Sequence, residues 1–160
     1  MLTFEQIIDH LNTFWVKQNC IIHQGYDLEV GAGIFNPATF LRCLGKEPYR
    51  AAFVESCRRP KDASYGNLNR LQTSHQYQVL IKPLPTDART LYLQSLFALN
   101  LDIKKHDIRF VHNDWEISSL GISGLGWKVW CNGMEITQFT YLQTVGDIAL
   151  KPISVEITYD

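Results

Sequence analysis

The chain has 160 residues, 46% of them hydrophobic and 19% charged, with a formal net charge of −1. This length predicts one domain spanning residues 1–160, and the near-neutral charge argues against broad electrostatic capture of nucleic acid or anionic membrane. The four cysteines form no CxxC pair, no apolar run reaches the roughly 18 residues that span a bilayer, and the N-terminus lacks a secretory pattern. We therefore expect a cytoplasmic protein with reduced thiols and no membrane segment.

Local signals predict the elements of the first half in chain order. Thr3 and Gln6 form a capping box before an apolar stripe from Phe4 to Trp15, which predicts a helix with a core-facing side. Asn36 before Pro37 marks a second helix start, because the side chain can cap and proline suits the first helical position. Strands are predicted at 49–56 and 74–83, and a further helix begins at Thr86 or Asp87.

The second half contains a short strand at 108–112 and a hairpin. Asn132-Gly133 is the preferred dipeptide of a two-residue type I′ turn, and it joins 127–131 to 134–143. Such a turn pairs Cys131 with Met134 and Trp130 with Glu135, and so Trp127 with Gln138. Strands dominate and several are antiparallel, so the predicted class is α+β.

Arginines and glutamines mark one candidate site. Arg58 and Arg59 end one strand and Arg70 opens the next, so a strand–loop–strand arrangement would let the three guanidiniums converge on a polyanion such as phosphate. Gln76 and Gln78 share one face of the second strand and need partners if they are covered. The alternative is a solvated cationic hairpin tip, which the spacing alone favours.

A second candidate site lies in the strand after the Asn-Gly turn. Four polar residues interrupt an aromatic and β-branched strand and could bind a small zwitterion, although simple alternation of polar and apolar faces explains part of the pattern. They are Glu135, Gln138, Thr140 and Gln143. The histidines show no metal-ligand spacing, so the residues themselves assign no metal site.

Several longer sequence motifs resemble those of a known family. They are QGYDLEVGAG at 24–33, NPATFLR at 36–42, RRP at 58–60, NRLQ at 69–72, QYQV at 76–79, HDIRFV at 106–111, GLGW at 124–127 and NGMEITQFTY at 132–141. In this order they resemble the α (catalytic) subunit of bacterial heterotetrameric glycine–tRNA ligase, over essentially the whole chain.

The resemblance implies a class II aminoacyl-tRNA synthetase core, an antiparallel sheet flanked by helices that dimerises through motif 1 at 36–56. Motif 2 would run from Arg58 and Arg59 to about Gln78, with an arginine on the α-phosphate of ATP and the loop on the adenine and triphosphate. Arg58 and Arg59 are the implied catalytic residues. Arg70, Gln76 and Gln78 are implied to bind ATP with them.

By the same resemblance, glycine would be held by six side chains, with Glu156 as the partner of its ammonium. They are Trp115, Trp127, Glu135, Gln138, Thr140 and Glu156. The implied reaction is attack of the glycine carboxylate on ATP, with Mg²⁺, to give glycyl-adenylate and pyrophosphate before transfer to tRNA(Gly). A separate β subunit would recognise most of the tRNA, in an α2β2 tetramer built on an α homodimer.

The chain departs from the family pattern at several places. Ala63 and Ser64 replace glycine and arginine in the motif 2 loop, Ser123 replaces a tryptophan, and Lys128 replaces a glutamate. We expect the chain to lack motif 3, with its arginine for the γ-phosphate, and the following helical part. The isolated chain is then expected to be weakly active or inactive in glycine-dependent pyrophosphate exchange.

Three functions remain open from the sequence. The first is the ATP- and glycine-binding part of a ligase. The second is a diverged, non-catalytic paralogue that serves as a nucleotide-binding or dimerisation module. The third is a hairpin that binds nucleotides without regard to glycine.

Overall fold

The computed structural model describes residues 2–60 and 71–160, which form helices, strands and two short 3₁₀ turns. The elements are α1 (Phe4–Lys17), β1 (Ile21–Ile22), α2 (Pro37–Phe40), β2 (Tyr49–Arg58), β3 (Thr73–Lys82), α3 (Ala88–Ala98), β4 (Ile108–His112), β5 (Trp115–Ile117), β6 (Ile122–Cys131), β7 (Met134–Val145) and β8 (Ile148–Tyr159). No helix in this part of the chain is long and apolar enough to cross a membrane.

The strands form one sheet in the order β1-β2-β3-β8-β7-β6-β4, with β5 also paired to β6. Every pairing is antiparallel except that of β1 with β2. The predicted α+β class with an antiparallel sheet is confirmed. Strand β8 lies in the middle, so the last residues of the chain occupy the centre of the sheet.

Helices α1 and α3 cover the same face of the sheet. The capping box at the start of α1 is confirmed, since the Thr3 hydroxyl accepts from the Gln6 amide at 3.2 Å. Asp87 caps α3 through the Thr90 amide at 3.0 Å. The main core of the protein lies beneath these helices and contains Trp15 of α1. Phe4, predicted to face this core, is exposed, because the first turn of α1 reaches only the exposed end of β3.

The opposite face of the sheet is covered by segment 31–45, which is tied down by polar contacts. The side-chain Oδ1 of Asn36 accepts from the Ala38 amide at 2.8 Å and so caps α2, as predicted. The Nδ2 of Asn36 donates to Glu55 of β2 at 2.6 Å. The buried Nζ of Lys82 donates to the carbonyls of Arg42 and Leu44, each at 2.6 Å. These bonds fix the segment over the sheet and leave a cavity beneath part of it.

The Asn132-Gly133 hairpin is confirmed, but its predicted register is wrong beyond the first two pairs. Cys131 does pair with Met134, whereas Trp127 pairs with Phe139 rather than with Gln138. A β-bulge between the Trp130–Glu135 and Val129–Thr137 pairs inserts Ile136 and shifts the rest of the strand by one residue. The bulge decides which side chains of β7 reach the cavity.

Strand β8 follows a second tight turn, which the sequence analysis did not identify. Gly146 and Asp147 both have positive φ, at +59° and +60°, as the two central residues of a type I′ turn require. The turn joins β7 directly to β8 and brings residues 154–158 against β3 and β7.

Candidate functional site

A cavity of about 140 Å³ lies between segment 31–34 and the sheet face opposite the helices. Alternation along β3 and β8 turns every second residue toward it, and Gln78 pairs with Thr158 at its floor. A cavity of roughly 150 Å³ is large enough for benzene, so this space suits a small organic molecule. Its lining consists of Ala32, Ile34, Arg59, Gln76, Gln78, Trp115, Ile117, Gln138, Glu156 and Thr158.

Glu156 is the buried acid of the cavity, with 4% of its surface exposed. Its Oε1 has no hydrogen-bond partner among the described residues, and burial raises the pKa of this carboxyl to about 8. A buried carboxylate is costly unless an opposite charge or a set of donors compensates it. The cavity therefore presents an uncompensated acid to whatever enters it.

Two amide oxygens supplement the Glu156 carboxyl. The Nε2 of Gln78 donates to the Thr158 hydroxyl at 2.9 Å, and its Oε1 has no partner in the described part of the chain. The Nε2 of Gln138 donates to Glu135 at 3.1 Å, which leaves its carbonyl oxygen to accept. Three acceptor groups thus line one small space. A primary ammonium, which has three N–H donors and no acceptor, matches this set.

Close packing limits the size of any occupant. Trp115 forms one wall, and its Nε1 donates to the Thr140 hydroxyl at 3.2 Å. Gly124 leaves room for this contact, since a Cβ there would lie 2.3 Å from Cγ2 of Thr140. Gly33 does the same above Gln78, whose Cγ would lie 2.5 Å from an added Cβ. Both glycines are required by close approach rather than by turn geometry.

The segment above the cavity is fastened by Gln76 and Arg59. The Oε1 of Gln76 accepts from the Gly33 amide at 2.9 Å, and its Nε2 donates to Asp160 at 2.8 Å. The Arg59 guanidinium lines the cavity, and its Nε donates to the Gly31 carbonyl. Both ends of the Gln76 amide are therefore hydrogen-bonded, and its Oε1 holds segment 31–34, which forms the roof of the cavity.

The predicted convergence of Arg58 with Arg59 is wrong. Arg58 donates to Asp27 at 2.6 Å and to the Leu28 carbonyl at 3.1 Å, away from the cavity. Neighbouring residues of an extended chain point to opposite sides, so only one of two adjacent arginines can face one ligand. Arg70, the third arginine of the prediction, lies outside the described residues, as do Ala63 and Ser64.

The structure also contradicts the predicted position of Trp127 beside the glycine site. Its side chain lies on the helix-covered face, packed against the main core, with the Arg89 guanidinium carbon 5.2 Å from the ring. The bulge in β7 and the alternation of β6 place residue 127 opposite Phe139 rather than Gln138. Of the two predicted tryptophans, only Trp115 reaches the cavity.

Most other predicted side chains are brought together. Gln76, Gln78, Gln138 and Glu156 line the cavity, while Thr140 and Glu135 contact residues that do so. Gln143 is half-buried and donates to the Tyr141 carbonyl at 3.0 Å, away from this set.

Sequence reasoning missed Glu55, which anchors the segment leading to the cavity roof. This buried carboxylate accepts from the Asn36 side chain at 2.6 Å and from the Asp27 amide at 2.9 Å. A charged residue inside the apolar strand 49–58 is the signal that would have identified it, because buried charges need dedicated partners. Among the described residues, no group of three or more histidine, cysteine or acidic side chains could hold a metal ion.

Similarity to solved structures identifies the class of fold. Two structures of pyrrolysyl-tRNA synthetase from Desulfitobacterium hafniense align with TM-scores of 0.66 and 0.63, each at 13% sequence identity. They cover 98% and 97% of this chain, which spans 66% and 65% of theirs. The fold is that of a class II aminoacyl-tRNA synthetase catalytic domain.

Sequence similarity then identifies the family. Residues 4–160 match the family model described as "Glycyl-tRNA synthetase alpha subunit", and the chain belongs to this family. It is 59% identical over 159 residues to a glycine–tRNA ligase of Chlamydia pneumoniae and 58% identical to one of Chlamydia trachomatis serovar L2. These alignments cover 99% of this chain, which spans only 16% of the length of either relative.

Proposed function

We propose that this chain is the part of a glycine–tRNA ligase that binds glycine and activates it with ATP. The observation that carries the proposal is the cavity of about 140 Å³ with three acceptor groups and a buried carboxyl. The family relationship supports the same assignment.

Glycine fits the cavity by charge and by size. Its ammonium would donate to Glu156, Gln78 and Gln138, and would supply the positive charge that the Glu156 carboxylate lacks. Trp115 and the Gly33 segment close the space in which a larger amino acid would place its side chain. Selection by exclusion is needed because glycine offers no side chain to recognise, and one methyl group is worth only about 1–3 kcal/mol in a pocket.

The glycine carboxylate would then face Arg59 at the cavity opening. In the proposed step a carboxylate oxygen attacks the α-phosphorus of ATP and forms a new O–P bond. The bond between the α-phosphorus and the bridging oxygen breaks, and pyrophosphate leaves with that electron pair. Arg59 contributes by orienting the phosphate and by stabilising the charge that develops on its oxygens.

ATP itself is too large for this cavity, since pockets for molecules of drug size measure roughly 300–1,000 Å³. We therefore place the nucleotide outside it, against Arg59, and the family relationship supports Arg70 as a second ATP contact. Gln76 is assigned to the roof of the cavity rather than to ATP, because both ends of its amide are already bonded.

We assign no residue to Mg²⁺, because the described residues offer no cluster of ligands for it. Mg²⁺ is commonly held by substrate phosphates with one or two carboxylates. It would therefore come with ATP, and no step above depends on its position.

The remaining partners belong to the same proposal. tRNA(Gly) would receive the activated glycine, with most of its recognition assigned to a separate β subunit in an α2β2 assembly. Two α subunits would associate through the motif 1 region at 36–56, and the assembly would work in the cytoplasm, where protein synthesis uses its product.

Titration calorimetry tests the proposal with glycine and with a non-hydrolysable glycyl-adenylate analogue. We expect both to bind the wild-type chain, and we expect Glu156→Gln to weaken glycine binding at least about 30-fold, because the ammonium loses its opposite charge. The matched control is Glu116→Gln, an exposed acid on β5 that bonds Ser118 rather than a cavity residue.

Three outcomes would contradict the proposal or one of its arguments. A folded chain that binds neither ligand favours the dimerisation module. ATP binding that is indifferent to glycine favours the general nucleotide-binding hairpin. Equal affinities for glycine and alanine would remove the argument from cavity size.

A further inference from the structure

An ion pair between Lys128 and Glu135 lies next to the cavity, although neither residue is part of the cavity lining. The Lys128 ammonium on β6 donates to Oε2 of Glu135 at 3.1 Å, and Oε1 of the same carboxylate accepts from Nε2 of Gln138 at 3.1 Å. The side chains of Lys128 and Glu135 are 33% and 21% exposed, so the pair is partly shielded from water. Three side chains thus form one chain of contacts that ends at the cavity.

The β-bulge is the reason that this chain of contacts exists. Residues 135 and 138 are three apart, and in a regular strand they would point to opposite faces of the sheet. The extra residue Ile136 reverses the alternation. Glu135 therefore pairs with Trp130, Gln138 pairs with Lys128, and these side chains lie on one face of the sheet. Bulges commonly redirect a side chain next to a functional site.

We propose that Glu135 and Lys128 are positioning residues that orient the Gln138 amide toward the glycine ammonium. This inference rests on the proposed function of the cavity. An ionised carboxylate only accepts hydrogen bonds, so Glu135 can bind the NH2 end of the Gln138 amide and not its oxygen. The carbonyl oxygen is then the end that is left for the ligand.

Without Glu135, the amide would be free to turn and present its NH2 group to the ammonium, which repels it. Lys128 has a separate task, which is to compensate the charge of Glu135. With that charge compensated, Glu156, whose Oε1 has no partner among the described residues, remains the acid for the ligand's ammonium.

Glycine affinities of four variants test the proposal by calorimetry. Glu135→Ala should weaken binding about tenfold, because the charge-assisted bond that orients Gln138 is lost. Glu135→Gln keeps an acceptor oxygen and should change affinity less than about threefold. Lys128→Met removes the contact that holds the Glu135 carboxylate, which can then turn toward water and release the Gln138 amide, so binding should weaken about threefold to tenfold. The double variant Lys128→Met with Glu135→Gln should recover the affinity of Glu135→Gln.

The matched control is Arg109→Met, which removes an exposed ion pair to Asp107 of 2.7 Å on the neighbouring strand β4. It should leave glycine affinity unchanged. Equal affinities of Glu135→Ala and wild type would overturn the proposal, as would a loss in Lys128→Met that the double variant does not recover.

A second measurement separates this proposal from the proposed function. Nuclear magnetic resonance of the Gln138 side-chain amide should give two well-separated proton shifts in the wild type. In Glu135→Ala they should move toward the shifts of a free glutamine, at an unchanged melting temperature. Failure of the wild type to bind glycine would contradict the proposed function. Unaltered Gln138 resonances in Glu135→Ala would contradict the positioning role alone.

Discussion

The two faces of the sheet are built by alternate residues of the same strands, yet they differ in how their buried groups are satisfied. On the helix-covered face, Val79 and Ile157 pack against Trp15 and Tyr92 in an apolar core. On the other face, the neighbouring residues Gln78 and Glu156 are equally buried but retain unpartnered oxygens in the described part of the chain.

This difference shows where the fold supports function. Apolar groups are satisfied by contact with one another, so the apolar core of the helix-covered face needs no ligand, although the Nε1 of Trp15 also lacks a hydrogen-bond partner among the described residues. Buried acceptors without donors cost free energy, and a protein retains them where a ligand supplies the donors. The helix-covered face therefore provides stability, and the cavity face gives up part of that stability for the binding proposed above.

The largest expected effect is on stability and comes from the helix-covered face. Trp15→Ala should lower the free energy of unfolding by about 3–5 kcal/mol, because it removes a fully buried side chain and leaves a void. Urea denaturation measures this loss, and Phe97→Ala on α3 is the control, since that side chain is 72% exposed and should change stability by less than about 0.5 kcal/mol. A loss below about 1 kcal/mol for Trp15→Ala would mean that α1 does not stabilise the sheet.

The next effect separates two tryptophans that lie on opposite faces. Trp115→Ala enlarges the cavity and should reduce the preference for glycine over alanine about tenfold, because the wall that excludes a methyl group is gone. Trp127→Ala should leave that preference unchanged, since its ring packs on the helix side. Calorimetry with both amino acids measures the two preferences. The opposite pattern would place the binding site on the wrong face.

The smallest effect is a pH dependence of stability caused by Glu156. Burial raises the pKa of this carboxyl from 4.5 to about 8, so below about pH 4.5 it is protonated in both folded and unfolded states. As the pH rises toward 8, the unfolded chain releases the proton and the folded chain keeps it, so stability is lost across this range. For each pH unit within this range the wild type should lose roughly 1.4 kcal/mol, and so about 4 °C in melting temperature, relative to Glu156→Gln.

Melting curves of both variants at several pH values measure this difference, and saturating glycine should reduce it, because the ammonium stabilises the ionised carboxylate. A difference between the two variants that does not vary with pH would mean that Glu156 does not titrate in the folded state as its burial implies.

Much of the fold could be predicted because its signals are local. The capping box at Thr3, the Asn36 cap and the Asn132-Gly133 turn each depend on residues close together in the chain, and all three are confirmed. Alternation along β3 also predicted correctly that Gln76 and Gln78 share a face. The second hairpin turn at Gly146 was missed, although glycine followed by aspartate is a recognisable turn signal.

The candidate site could be predicted only in part, because its geometry depends on distant segments. The bulge at Ile136 changed the register of β7 and placed Trp127 on the other face. Arg58 and Arg59 are equivalent by their place in the sequence. In the structure Arg58 bonds Asp27, whereas Arg59 lines the cavity. The bond from Gln138 to Glu135 was not predicted, and the expected contact of Glu135 with glycine stays a prediction.

The order of elements and the residue types of the site are determined by the sequence itself, because caps, turns and alternation act between near neighbours. Tertiary structure alone decided which acceptors meet in one cavity and which of them find donors. That outcome depends on register, on the covering segment and on burial, which are properties of groups far apart in the chain and cannot be read from any one stretch of it.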